Sequence, residues 1–420
     1  MFLFYKNHQP FVVTVSAIAS LFCFTVCTSM AALDLQPANK HSSLVTGDGG
    51  SIRDDTFATM IANKLKTGAT SNVKDAKFIF EQCFGGGMLD DLATQLGNTV
   101  KWVGGAAARW DEPSWGPGNP TTKGDFWVES LLPELAPPKD NNQSVLNGLD
   151  NATANDPARP GGGLKDSNNN PVSEHGQSTS ANGGDTITLK DPAAASHHAI
   201  LWGGNADGQR HVNDLNKMKA ALEASWGTGP STSITVLTGA TATKAQLQAA
   251  LDALPLNSNE EFVFFASDHG DLETVPAPAA PRIVPPANTD VETFSLLATE
   301  LLAMELGGPG GGNASPFLTV DYSGVTGSTN AVLLNGNFLG FLNPFASETI
   351  FNVPFGYLSA SDTIDIQNAQ GSSFTILDKI FSTGSIDTLV AVPVPEPATY
   401  AVGLLCLGVG IAARRRRRKV

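Results

Sequence analysis

The sequence predicts an α/β fold with a mainly parallel sheet flanked by helices, followed by a small β-sandwich. Two observations carry that expectation. From Asp54 to about Leu306, segments of helical period alternate with short apolar runs, the pattern of strands joined by crossover helices. From residue 314 to residue 390 the pattern changes to short β runs set between turn residues.

Residues 1–32 hold Lys6 and His8, an apolar run from Phe11 to Cys27, and the small residues Ser29 to Ala32. Those three regions in that order predict a secretory signal peptide. The first part of the α/β domain spans residues 45–132. Its strands are expected at Ala76 to Phe80 and Val100 to Val103. The second part spans residues 196–306, with strands at Ala199 to Trp202, Ile234 to Leu237 and Glu261 to Ala266. Helices are expected between them: Val212, Leu215, Met218 and Leu222 recur at three- and four-residue steps, as do Leu247, Leu251 and Leu254. Thr241 to Lys244 is the expected start of the second series.

Between the two parts, residues 133–195 are rich in Asn, Asp, Gly, Pro and Ser and poor in apolar residues. Such a segment buries too little surface to offset its ordering entropy, which predicts a disordered linker. Residues 314–390 carry the β runs Phe317 to Val320, Ala331 to Leu334, Asn337 to Leu339, Ile364 to Ile366 and Phe374 to Leu377. The hairpin from Leu334 to Leu342 is similar to those of jelly-roll modules that bind sugars, so a polysaccharide is a candidate partner of this module.

Residues 394–420 begin with Val394-Pro395-Glu396-Pro397, continue with the apolar stretch Ala398 to Ala413, and end in Arg414 to Arg418 and Lys419. The stretch is shorter than the roughly 20 residues of a comfortable transmembrane helix, and snorkelling arginines extend it. The basic tail is expected to face the cytoplasm. This end resembles the PEP-CTERM sorting signal of Gram-negative bacteria. The resemblance implies a transient inner-membrane anchor, cleavage by an exosortase near the Pro-Glu-Pro, and delivery to the cell surface or extracellular matrix.

Charge and cysteine content narrow the function. The chain carries 40 acidic against 26 basic side chains, and six of the basic ones lie in the tail Arg414 to Lys419. A body this acidic excludes nucleic acid as a partner. No metal or phosphate motif is present, and the Gly-rich runs lack a P-loop lysine and serine, so no cofactor is expected. Of the four cysteines, Cys83 alone lies outside the two apolar ends, so the exported body has no disulfide framework.

Cys83 follows the strand-like run Lys77 to Glu81 and precedes Gly85-Gly86-Gly87. Its place fits either a small core residue or a nucleophile approached closely by backbone and substrate. His269 ends the apolar run Phe262 to Ala266 and precedes Gly270. It is either a loop histidine bonded to backbone or a catalytic group, since ligands of an open parallel sheet bind at the carboxyl edge. Paired, the two residues supply a thiolate and a general acid, with the N–H groups of Gly270 and Cys83 as an oxyanion hole.

Five blocks resemble legumain, the asparaginyl endopeptidase of the caspase-like fold: Ile79 to Met88, Phe264 to Gly270, Ala199 to Asn205 with Gln209-Arg210-His211, Ala106 to Trp115, and Gly124 to Ser130. In the family the Arg-His and His-Gly blocks precede the cysteine, whereas here Cys83 comes first and His269 last. The order is a rotation, so the resemblance implies a circularly permuted caspase-like domain with its join in residues 133–195.

The resemblance further implies that Arg210, Glu81, Ser114 and Asp125 line a pocket for the residue before the cleaved bond. Cationic and acidic walls satisfy the donors and acceptor of an asparagine amide, and aspartate enters only when protonated. From its position alone, Arg210 also fits a solvated helix-start charge paired with Asp207 or Asp214. His211 is expected to be structural or pocket-supporting. Three departures from the family stand out: Gly208 where an asparagine orients the histidine, Phe84 after the nucleophile, and Pro113 in place of a serine beside Ser114. The expected substrate is a peptide or protein. Asn147 and Asn168 to Asn170 in the linker are expected self-cleavage sites.

Overall fold

The computed structural model describes residues 33–117, 122–166, 169–205, 208–275, 282–285, 287–296, 316–326, 328–354, 357–359, 361–369, 373–383 and 389–393. The expected signal peptide and the sorting tail lie outside them. Among the described residues no helix is long and apolar enough to cross a membrane.

A six-stranded sheet organises the α/β part. Its strands run in the order Thr232–Leu237, Ser196–Trp202, Glu260–Ser267, Asp75–Glu81, Trp102–Ala106 and Gln177–Ala181. The first five are mutually parallel, and Gln177–Ala181 closes the edge antiparallel to its neighbour. Alternation along the strands explains why both faces are covered. Phe78, Phe80, Phe262, Phe264 and Trp202 point to one face, where they meet helices Asp54–Leu65, Gly86–Leu96 and Lys244–Ala253. Ile79, Val263, Phe265 and Leu201 point to the other, against helices Phe126–Leu135, Val145–Asn155 and Gln209–Trp226. Each fully buried Phe or Leu contributes about 1.5–3 kcal/mol relative to exposure.

A charged group is built into this core. The Lys77 ammonium is fully buried, donates to Asp75 Oδ1 at 2.7 Å, and also bonds Glu261. Glu261 is shared with His197.

Residues 133–195 differ from the disordered linker that composition predicts. Val145, Leu146, Leu149 and Ala152 fall at helical spacing and bury in the core, and Ser144 caps their helix by accepting from the Asn147 N–H at 3.2 Å. Trp127 Nε1 donates to Thr153 Oγ1 at 3.1 Å, fixing that helix to its neighbour. The polar residues serve as caps and turns, and Leu135, Ile187 and Leu189 bury in the same core while Ala158, Leu164 and Val172 form a smaller one with Trp115. Asn147 therefore lies in the first turn of a helix, not in a flexible cleavage site.

The β part is two sheets around one core. One contains Glu348–Asn352, Phe317–Ser323, Phe374–Ser382, Gly270–Thr274, Lys40–Val45 and Ser51–Arg53 in that order, with Arg282–Val284 also paired to Phe374–Ser382. The other runs Thr289–Ser295, Ser361–Gln367, Ala331–Leu334, Asn337–Phe341. Leu318, Val320, Tyr322 and Phe381 of the first meet Val332, Leu334, Ile364 and Ile366 of the second.

This part is larger than the expected segment 314–390, because strands from 282 to 295 belong to it. It is also not a separate appendage. Gly270–Thr274, which follows His269 directly, is a shared strand paired with Lys40–Val45 on one side and Phe374–Ser382 on the other.

Candidate active site

The strands bearing the two candidate catalytic residues are neighbours. Asp75–Glu81 pairs in parallel with Glu260–Ser267, and Glu81 lies opposite Ser267. Cys83 and His269 each stand two residues further on, so both leave the sheet at its carboxyl edge. Their backbones touch: a Cβ at Gly270 would lie 1.9 Å from the Cys83 carbonyl oxygen, an approach only glycine permits. Both side chains are almost wholly buried.

Phe84, directly after Cys83, has φ +63°, in the left-handed region that bulky residues avoid. Its peptide groups are held on both sides. Phe84 N–H donates to the Glu112 carbonyl at 2.9 Å, and its carbonyl accepts from Ser42 Oγ at 2.7 Å. The ring packs with Cys83 and Leu272. A strained residue fixed by surrounding bonds is a common companion of a functional side chain. Helix Gly86–Leu96 begins three residues after Cys83, close enough for the positive end of its dipole to favour an anion.

Beside Cys83 lies a buried polar cluster. Ser114 Oγ is 3.9 Å from Cys83 Sγ. Two residues on, Gly116 leaves room for an ion pair: a Cβ there would meet Asp125 Oδ1 at 2.1 Å and Arg210 Cδ at 3.1 Å. Arg210 Nε is 3.2 Å from Asp125 Oδ1, and both residues are buried. Arg210 thus pairs across the site with Asp125, and not outward as a solvated helix-start charge.

Glu81 is fully buried, and neither of its carboxylate oxygens has a hydrogen-bond partner among the described residues. Burial raises its pKa well above the ordinary carboxylate value; Asp125, Asp214 and Asp156 add to the rise and Arg210 opposes it. A protonated Glu81 donates where an ionised one accepts.

Asp214 and His211, which the sequence offered as a partner of Arg210 and as a supporting residue, hold this assembly together with Ser267 and Asp268, which sequence reasoning missed. Asp214 accepts from the Asp125 N–H at 3.2 Å and from Ser267 Oγ at 2.9 Å. Its pKa is raised well above normal by burial and by Asp125. His211 Nδ1 is 3.4 Å from Ser267 Oγ and 3.6 Å from Asp125 Oδ2, and its ring stands edge-on to His269 at 5.5 Å between centroids. Asp268 Oδ1 lies 3.9 Å from His269 Nε2.

Asp214 sits one helical turn after Arg210, a spacing that could have signalled a shared face. Gly208 is explained sterically, since a Cβ there would press on His211 Cδ2 at 2.9 Å. Asp207 lies outside the described residues. Ligand atoms of His211, Asp268 and His269, and likewise of Asp125, His211 and Asp214, lie within 4.8 Å of one another. Each set is compact enough to share a cation.

The comparisons with known proteins bear on the carboxyl end. Residues 393–418 match the PEP-CTERM protein-sorting motif. The motif marks the chain for recognition by an exosortase and for export in a Gram-negative bacterium. No curated protein matches the chain.

Proposed function

We propose that this protein is an exported cysteine endopeptidase, a circularly permuted relative of legumain with a caspase-like α/β domain, that cleaves after asparagine. The observation that carries the reading is the meeting of four groups at one sheet edge: Cys83, His269 on the adjacent parallel strand, Ser114 beside the thiol, and the buried Arg210–Asp125 pair at Gly116. The Cys83 thiolate attacks the peptide carbonyl and His269 protonates the leaving amine. Water then hydrolyses the thioester. In the pocket, an asparagine carbonyl accepts from Arg210 and its amide donates to Asp125. His211 and Asp268 take the positioning role that Gly208 cannot.

The test is hydrolysis of an Ala-Ala-Asn amide by the purified chain and by Cys83→Ala and His269→Ala. Turnover that survives Cys83→Ala would sink the proposal.

A second reading is a non-catalytic surface or matrix protein whose β part binds polysaccharide. Two observations favour it: the burial of Cys83, and the exposure of Phe338, Phe341 and Phe345 on the β part, where the rings of Phe338 and Phe341 meet edge to face with centroids 4.9 Å apart. Mild alkylation separates the readings, because an inert Cys83 thiol favours the scaffold.

A further inference from the structure

Four side chains able to ligate a metal gather beside Ser267. His211 and Asp214, three residues apart on helix Gln209–Trp226, share one face of it. Asp125 stands just before helix Phe126–Leu135, and donor atoms of these three side chains lie within 4.8 Å of one another. All three are buried. The carboxyl groups of Asp125 and Asp214 come within hydrogen-bonding reach of each other, a contact that buried carboxylates keep only with a proton or a metal ion between them.

Glu81 supplies a second, independent sign of a ligand. It lies opposite Ser267 on the neighbouring strand, Ser267 bonds Asp214, and the charges acting most strongly on Glu81 are those of Asp125 and then Asp214. The side chain is wholly enclosed, and neither oxygen has a hydrogen-bond partner among the described residues. A buried carboxylate facing two others is costly unless a cation neutralises it. Three ionised carboxylates and the Arg210 guanidinium leave two negative charges, which one divalent cation balances.

We infer that Glu81, Asp125, His211 and Asp214 form a binding site for a first-row divalent cation. Three carboxylates and one imidazole suit Mn²⁺ or Zn²⁺ better than Ca²⁺, which takes about six to eight oxygens. His211 also has Asp268 and His269 near it, but the enclosed Glu81 faces the set that contains Asp125 and Asp214. No spacing motif announces the site, because its donors stand at 81, 125, 211 and 214. A cation held by Glu81 and Asp125 occupies the place of the asparagine amide, so metal binding switches cleavage off. That consequence rests on the peptidase reading; the site itself does not.

The probe is Mn²⁺, added to the full chain as Cys83→Ala so that the thiol cannot serve as a ligand. Binding is read from the loss of the free-ion electron paramagnetic resonance signal, and nitrogen ligation from the electron spin-echo spectrum of the bound ion. A single bound Mn²⁺ per chain is expected, with an imidazole coupling that His211→Gln removes. Glu81→Gln, close in shape to the protonated acid, is expected to weaken binding at least about tenfold, since even the partners of metal ligands contribute that much. The thermal midpoint of the parent is expected to rise with Mn²⁺, a reading that does not depend on the ligand variants folding. With Cys83 in place, Mn²⁺ is expected to raise KM for the Ala-Ala-Asn amide at unchanged kcat, and Glu81→Gln to relieve the inhibition.

Absence of bound Mn²⁺, an unmoved midpoint, binding undiminished by Glu81→Gln, or a bound ion without nitrogen coupling each overturns the site. Binding that Glu81→Gln weakens, in a chain whose wild type turns over no amide, supports the site and refutes the peptidase reading. Cys83-dependent turnover by a chain that binds no Mn²⁺ supports the peptidase and overturns the site.

Discussion

Asp271, two residues after His269, contributes stability that is lost as pH rises. Its carboxylate is buried and accepts from Ser382 Oγ at 2.6 Å and Thr383 Oγ1 at 2.8 Å, tying the strand that leaves the site to the β part. Burial and then the neighbouring Glu273 charge push its pKa up to about 7, although the two hydroxyls pull the other way. The folded chain therefore holds a proton that the unfolded chain has released above its ordinary value of 3.8.

Stability consequently falls as pH rises through this window. Between about pH 5 and about pH 8 the loss from this one group is roughly 3 kcal/mol, from 1.36 kcal/mol per pKa unit and the fraction of the window crossed. Asp271→Asn keeps the shape and removes the ionisation. Urea unfolding of wild type and variant at the two pH values measures the effect. The wild type is expected to lose about 3 kcal/mol more than the variant across the interval. Parallel losses in the two proteins would show that Asp271 ionises as freely in the folded state as in the unfolded one.

Glu81→Gln is isosteric with the protonated acid and cannot ionise. Because the Glu81 pKa is raised, its neutral form is lost as pH increases, so the variant is expected to extend cleavage after asparagine to higher pH. An unchanged pH profile would count against a neutral Glu81 in the pocket. Gly270→Ala places a methyl group against the Cys83 carbonyl and should cost about 1–3 kcal/mol, read as a lower thermal midpoint. Lys77→Met strands the buried Asp75 and Glu261 without their shared cation, and chemical denaturation should show a loss of about 3–5 kcal/mol.

Much of the α/β framework was legible because its signals are local. A fully buried parallel strand is apolar along most of its length, so Phe78 to Phe80 and Phe262 to Ala266 announce themselves. A helix on a sheet must repeat its apolar residues at three and four, as Leu215, Met218 and Leu222 do. Residues 133–195 were misread because polar composition conceals well-spaced apolar side chains that bury in two cores. The extent of the β part was misread because sheet membership is set by pairing partners distant in the chain. Gly270–Thr274 gives no local sign that it bridges Lys40–Val45 and Phe374–Ser382.

The candidate site divides in the same way. Cys83 and His269 were visible as polar residues at the ends of strong strand runs, and the sorting motif as an ordered end of the chain. Ser267, Asp268 and the pairing of Leu389–Pro393 with Trp115–Pro117 were not, because a buried hydrogen bond or a ladder between segments far apart leaves no periodicity to read.

The sequence by itself determined which segments become buried strands and helices, where the thiol and imidazole stand along them, and that the chain is marked for export. Tertiary structure alone decided that Arg210 faces Asp125 and not solvent, that Glu81 is enclosed without a hydrogen-bond partner among the described residues, and that the segment before the sorting motif pairs with Trp115–Pro117. The division is physical. Local preference and periodicity act over a few residues, whereas desolvation, ion pairing and strand addition depend on which distant surfaces folding brings into contact.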